Sequence, residues 1–127
     1  VNPGGRGVFS LPMTSYPFPQ DFYPGIHYGV DLAAPVGAPV MAADSGTVVF
    51  AGWHNGGFGY LVVIDHGNGF QTYYGHLSRI SVRCAAGVAA GQVIGAVGST
   101  GNSSGPHLHF EMQQNGVPVN PHIHLVL

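Results

Sequence analysis

Gly105-Pro106-His107-Leu108-His109-Phe110-Glu111 reads as a short strand. Side chains alternate between the two faces of a strand, so His107 and His109 share one face and Leu108 and Phe110 the other. The two imidazoles then stand with Cβ atoms roughly 6–7 Å apart, which suits two metal ligands, or one ligand beside a general acid/base. Leu108 and Phe110 would anchor the strand in a core. Two upstream stretches bear on the same chemistry: His27-Tyr28-Gly29-Val30-Asp31 and Tyr74-Gly75-His76-Leu77.

Working outward from this strand, the chain alternates short apolar runs with turn residues. Strands are expected over 30–33, 39–42, 47–51, 60–65, 70–74, 80–83 and around Val88 and Val93-Ile94. Asp44-Ser45-Gly46 and Gly67-Asn68-Gly69 read as turns, Asn115-Gly116 as a hairpin turn, and 53–59 and 99–105 as loops. Residues 1–24 form an irregular lead-in with one short strand near 8–11, residues 25–127 the functional domain, and 117–127 its trailing tail. No window carries a helical stripe. The expected fold is therefore all-β, with little or no helix.

Composition narrows the function. At 127 residues the chain is long enough for one core and not two. Charged residues are 6% of it, with three arginines and no lysine, so a basic nucleic-acid footprint is missing. No apolar run reaches the roughly 20 residues of a membrane span. The N-terminus shows no signal-sequence pattern, which a mature or excised domain would also lack. Twenty-one glycines and ten prolines without a collagen period imply many tight turns. Cys84, the one cysteine, sits among Val and Ala and reads as a small buried apolar residue.

Against five acids and three bases, eight histidines are many, and they point to chemistry. In a straight strand His27 and Asp31 would lie on one side but roughly 13 Å apart. Both reach one ion only if the chain bends, which Gly29 permits. A carboxylate with two imidazoles is a common catalytic zinc set, and His109 would supply the third ligand. Taken alone, His27 and Asp31 read first as a histidine–carboxylate pair that holds a loop, and His76 as a core histidine bonded to a carbonyl; it is their convergence that favours chemistry.

The order H-x-x-x-D, then Y-G-H-L, then G-N-S-S-G-P-H-L-H-F-E resembles the lysostaphin-type (LytM-domain) zinc endopeptidases of bacterial cell wall. The resemblance runs from about His27 to Asn120 and takes in Asp31-Leu32-Ala33-Ala34-Pro35, Gly46-Thr47-Val48-Val49, Ile64-Asp65-His66-Gly67 and Gly91-Gln92-Val93-Ile94-Gly95. It implies that His27, Asp31 and His109 ligate Zn2+ and that His76 and His107 are the catalytic pair. It further implies a largely antiparallel β-sheet with a metal-containing groove lined by loops. The implied activity is hydrolysis of peptide bonds in peptidoglycan stem peptides or cross-bridges. No H-E-x-x-H glutamate is present, so histidine must serve as base. The expected partner is peptidoglycan, with no nucleic acid and no transmembrane segment. The chain is expected to act as a monomer at an extracellular, periplasmic or phage-virion location.

The remaining histidines take plainer readings. His66 supports a turn or the sheet, His54 belongs to a glycine-rich loop with a reach into the groove only as the lesser alternative, and His122 and His124 form a surface pair. Tyr16, Phe18, Phe22 and Tyr23 cover the edge of the core. Gly101-Asn102-Ser103-Ser104-Gly105 matches G-x-S-x-G by letter, but a strand rather than a helix follows, so a serine nucleophile is not expected. A biotinyl-type or lipoyl-type carrier fails for want of a lysine. The alternative that survives is a catalytically blocked or inactive relative that binds cell wall or regulates another hydrolase.

Overall fold

A computed structural model of the chain describes residues 29–67, 69–101, 103 and 105–121. His27, His122, His124 and the 1–24 lead-in with its aromatic residues lie outside these. The described residues form nine strands and no α-helix: β1 (Val30–Ala33), β2 (Pro39–Met41), β3 (Gly46–His54), β4 (Gly59–Gly67), β5 (Phe70–Ile80), β6 (Gly87–Val88), β7 (Val93–Val97), β8 (His107–Gln114) and β9 (Val117–Val119). All pairings are antiparallel. The main path runs β1-β8-β5-β4-β3-β6, β9 pairs with β8, and β7 pairs with β2 and β5. The all-β, largely antiparallel reading holds.

β8 keeps the expected alternation. Leu108 and Phe110 are fully buried and join Val30, Leu32, Ile64, Tyr74, Leu77 and Met112 in the core. Each such side chain contributes about 1.5–3 kcal/mol through its burial. The opposite face carries His107, His109 and Glu111.

β5 does more than the expected 70–74 strand. Its first part, Phe70 to Gly75, pairs with β8, while Leu77 to Ile80 pairs with β7. His76 stands at the changeover with φ 61, a left-handed conformation that β-strands avoid and that costs a non-glycine residue free energy. Tyr-Gly-His therefore reads locally as a strand end, although the strand bends and continues. The expected strand over 80–83 is corrected accordingly: Ile80 closes β5, and residues 81–83 are outside any strand.

Three further expectations change. The 53–59 loop is shorter, because Trp53 and His54 pair with Tyr60 and Gly59 across the β3–β4 hairpin. The tail contains β9, which the Asn115-Gly116 turn folds back against β8. Cys84 is exposed rather than buried. It lies in a turn where Ala85 takes φ 73, and its thiol approaches the Val49 carbonyl at 3.6 Å.

His66 supports the sheet from inside. Its Nδ1 donates to the Ser45 carbonyl at 2.9 Å, so Nε2 accepts from the Thr72 hydroxyl at 2.7 Å. Thr72 Oγ1 in turn accepts from the Tyr74 hydroxyl at 2.7 Å, and Tyr74 accepts from Ala43 N–H at 2.9 Å. Backbone groups at both ends thus set the direction of every proton in this buried chain. Burial holds the His66 imidazole below the ordinary histidine value, against the Ser45 hydrogen bond and the charges of Asp44 and Asp65.

Candidate active site

Strand register assembles the site. β8 lies between β1 and β5, placing Asp31 opposite His109 on one side and Gly75 opposite His109 on the other. Ala33 faces His107, so one four-residue strand carries the carboxylate to the histidine face of β8. The bend at His76 turns its ring toward the same place. Its centroid lies 4.8 Å from that of His107 and 5.8 Å from that of His109. Four of the five residues singled out in the sequence therefore meet, and the fifth, His27, lies outside the described residues.

Asp31 Oδ1 stands 2.9 Å from His109 Nδ1 and 3.5 Å from His107 Nε2. On the far side of the ring, His109 Nε2 lies 2.9 Å from Glu111 Oε1. Burial alone would lower the His109 pKa. The hydrogen bonds to Asp31 and Glu111, with the charges of both, outweigh it and raise the value to about 9.

The other two imidazoles are fixed by carbonyls. His76 Nδ1 donates to Thr100 O at 2.7 Å, and His107 Nδ1 donates to Gly105 O at 2.8 Å. Each ring in its neutral form then carries its lone pair on Nε2. Burial holds the His76 pKa below the usual histidine value; the Thr100 carbonyl opposes this shift, while His107 and His109 reinforce it. The loop is itself braced. Thr100 Oγ1 donates to Leu77 O at 2.7 Å, and Ser103 Oγ donates to Gly105 O at 2.8 Å.

Beside the histidines, Phe58 packs its ring 5.7 Å from His109 and 5.4 Å from His54. Beyond it opens a cavity of about 360 Å³ lined by Trp53, His54, Asn55, Gly57 and Gly101. Both expected groove loops thus contribute to its wall, and His54 reaches it. Glu111 and Phe58 carry no role in the sequence reading. The signal for Glu111 was its two-residue step from His109 on a strand, which puts both on one face; Phe58 offered none.

The donor set suits a divalent ion. A carboxylate oxygen and an imidazole nitrogen face each other, and the second nitrogen of that imidazole is held by another carboxylate, as is usual around histidine ligands. Among the described residues no group of three or more His, Cys, Asp or Glu has the arrangement of a metal site. Asp31 and His109, two of the three expected donors, lie side by side at 2.9 Å.

Comparison with known proteins gives a consistent result. The model of Peptidase family M23 matches residues 25–121. The DD-carboxypeptidase/endopeptidase Mpg of Neisseria meningitidis serogroup B is 46% identical over 125 residues, covering 93% of this chain and 29% of that protein. Lysostaphin of Staphylococcus simulans is 44% identical over 100 residues, 78% of this chain and 20% of that protein. The crystal structure of a zinc-containing peptidase from Vibrio cholerae superposes with a TM-score of 0.82 at 33% identity, covering 89% of this chain and 39% of that one. The chain spans less than a third of the length of these two curated relatives.

Proposed function

The chain belongs to peptidase family M23, and from that membership we propose that it is a zinc-dependent endopeptidase cleaving peptide bonds of bacterial peptidoglycan. The carrying observation is the convergence of Asp31, His76, His107 and His109 from three strands onto one buried spot. The proposed catalytic domain is 25–127, with 1–24 as lead-in. Asp31 and His109, with His27, are the proposed zinc ligands, and His76 and His107 the proposed catalytic residues. The proposed setting is extracellular, at the cell envelope or on a phage virion. No helix among the described residues is long and apolar enough to cross a membrane.

Zinc, when bound, supplies Lewis-acid polarisation of the scissile carbonyl and acidification of water. The chain's own residues move the protons. With Nδ1 of His76 and of His107 each committed to a carbonyl, the Nε2 atoms are left to accept from or donate to the reacting groups. One imidazole takes the proton of the attacking water. The other stabilises charge developing on the former carbonyl oxygen or protonates the departing amine. The depressed pKa of His76 keeps its ring neutral at neutral pH, as a base requires. Substrate choice falls to the walls on either side, where Trp53, His54, Asn55 and Gly101 line the cavity beside Phe58. Relatives named for glycyl-glycine and for DD-endopeptidase activity leave glycine bridges and D-alanyl links as the two candidate bonds.

The test is mass spectrometry of purified peptidoglycan digested with the metal-stripped chain, before and after zinc is restored. New peptide termini that depend on zinc support the reading and identify the bond. Absence of cleavage on walls of both types, with zinc bound, refutes it in favour of a blocked or wall-binding relative.

A further inference from the structure

We infer that Glu111 is a positioning residue for His109, its carboxylate holding Nε2 so that Nδ1 is the nitrogen presented beside Asp31. The inference rests on the proposal that Asp31 and His109 hold the ion. An imidazole can ligate through either nitrogen, and its ring can turn about χ2. Here the two carboxylates address opposite ends of one ring, each at 2.9 Å. With Nδ1 ligating, Nε2 must carry the proton, and Glu111 Oε1 is the acceptor that keeps it there.

Glu111 is placed to do this rigidly. It is buried on the middle of β8, two residues from His109 and on the same face. Its other oxygen, Oε2, accepts from Gln113 Nε2 at 3.4 Å, and Gln113 Oε1 accepts from the Tyr73 hydroxyl at 3.5 Å. Gly29 leaves the space the pair occupies, since a Cβ there would come within 2.9 Å of both Glu111 Cγ and His109 Cε1. Glu111 is also the single glutamate of the sequence.

The test is a competitive zinc titration against a chromophoric chelator on the full chain, paired with absorption spectra of the cobalt(II)-loaded forms. E111A is expected to weaken zinc binding by about 10–100-fold and alter the cobalt bands. E111Q, whose amide oxygen still accepts from Nε2, is expected to lose less. E111M fills a similar volume without an acceptor; it serves if E111A does not fold, with the same loss expected. Wild-type affinity and an unchanged cobalt spectrum in E111A or E111M overturn the inference, whatever their melting temperatures. H109A separates the two levels of the argument. If H109A binds zinc like the unaltered chain, the ligand assignment itself falls; if it loses zinc while E111A and E111M keep it, only the role of Glu111 falls.

Discussion

His76 and His107 stand 4.8 Å apart between ring centroids, inclined at 65°, and each donates its Nδ1 proton to a carbonyl of the 99–105 segment. With both Nδ1 atoms so engaged, the Nε2 atoms are the ring nitrogens available to the proposed reaction. H76A and H107A are each expected to lower turnover by about 10²–10⁴-fold while retaining zinc. D31A is expected to lose both zinc and turnover. Metal analysis of the purified variants beside dye release from labelled peptidoglycan checks this, and full activity in any of the three refutes its assignment.

The left-handed backbone at His76 predicts an ordering of stabilities that is independent of catalysis. Asparagine tolerates this region, whereas a β-branched side chain resists it. In the metal-free chain H76V should be less stable than H76N by about 1–2 kcal/mol, the cost of the left-handed region for an ordinary L-residue. Urea unfolding of the two variants decides. Equal midpoints at equal slopes would mean that the bend in β5 carries no such strain.

Gly29 sits where the β1 side of the site meets β8. A Cβ there would approach the Phe110 carbonyl oxygen to 2.6 Å, in addition to its contacts with Glu111 and His109. G29A is expected to cost about 1–3 kcal/mol, as overpacking does, and to weaken zinc binding as well. G87A is the control, since a Cβ at Gly87 meets nothing within 4 Å. Thermal melts and zinc titrations of both variants provide the readout; a wild-type G29A would mean that β1 shifts freely.

His66 gives the fold a pH dependence whose sign follows from its lowered pKa. As pH falls below about 6.5, the unfolded chain binds a proton at this residue that the folded chain does not. Its contribution to stability is therefore full above the unfolded value and is lost as pH falls toward the folded one. The stability advantage of the unaltered chain over H66Q in denaturant curves should shrink as pH falls below about 6.5. Taking this difference removes the opposite-signed contribution of His109, whose pKa is raised to about 9. T72V tests the same network at constant pH. Removing the acceptor of the Tyr74 hydroxyl is expected to cost about 1–3 kcal/mol.

The strand carrying His107 and His109 was legible from its letters, because period-two alternation is a local property and Leu108 and Phe110 obey it. β1 was equally legible, from Val30 to Ala33. The meeting of Asp31 with His109 was not local at all. The two are 78 residues apart, and the register that joins them is a product of the whole sheet. Donor chemistry suggested grouping them and resemblance to a family supported it, but no local pattern of residues placed one against the other. The corner at His76 was hidden for a different reason. Tyr-Gly-His carries the signature of a strand end, and the β7 partner that lets β5 continue lies far along the chain. Cys84 misled because its apolar neighbours Val82 and Ala86 do pack against the core, while the turn at 84–85 leaves Cys84 itself exposed.

The carbonyls of Thr100 and Gly105 orient both imidazoles, and a carbonyl belongs to the main chain whatever side chain its residue bears. The alphabet of this loop is thereby partly decoupled from the protonation pattern of the histidines. Side chains that face a substrate can be exchanged during evolution or by an engineer without rewriting the proton inventory, as long as the path of the main chain is kept. Insertions and deletions have no such licence. A one-residue change of length between Gly98 and His107 would move an acceptor away from its ring, so new specificities should be sought there by substitution and sought by lengthening in the β3–β4 hairpin.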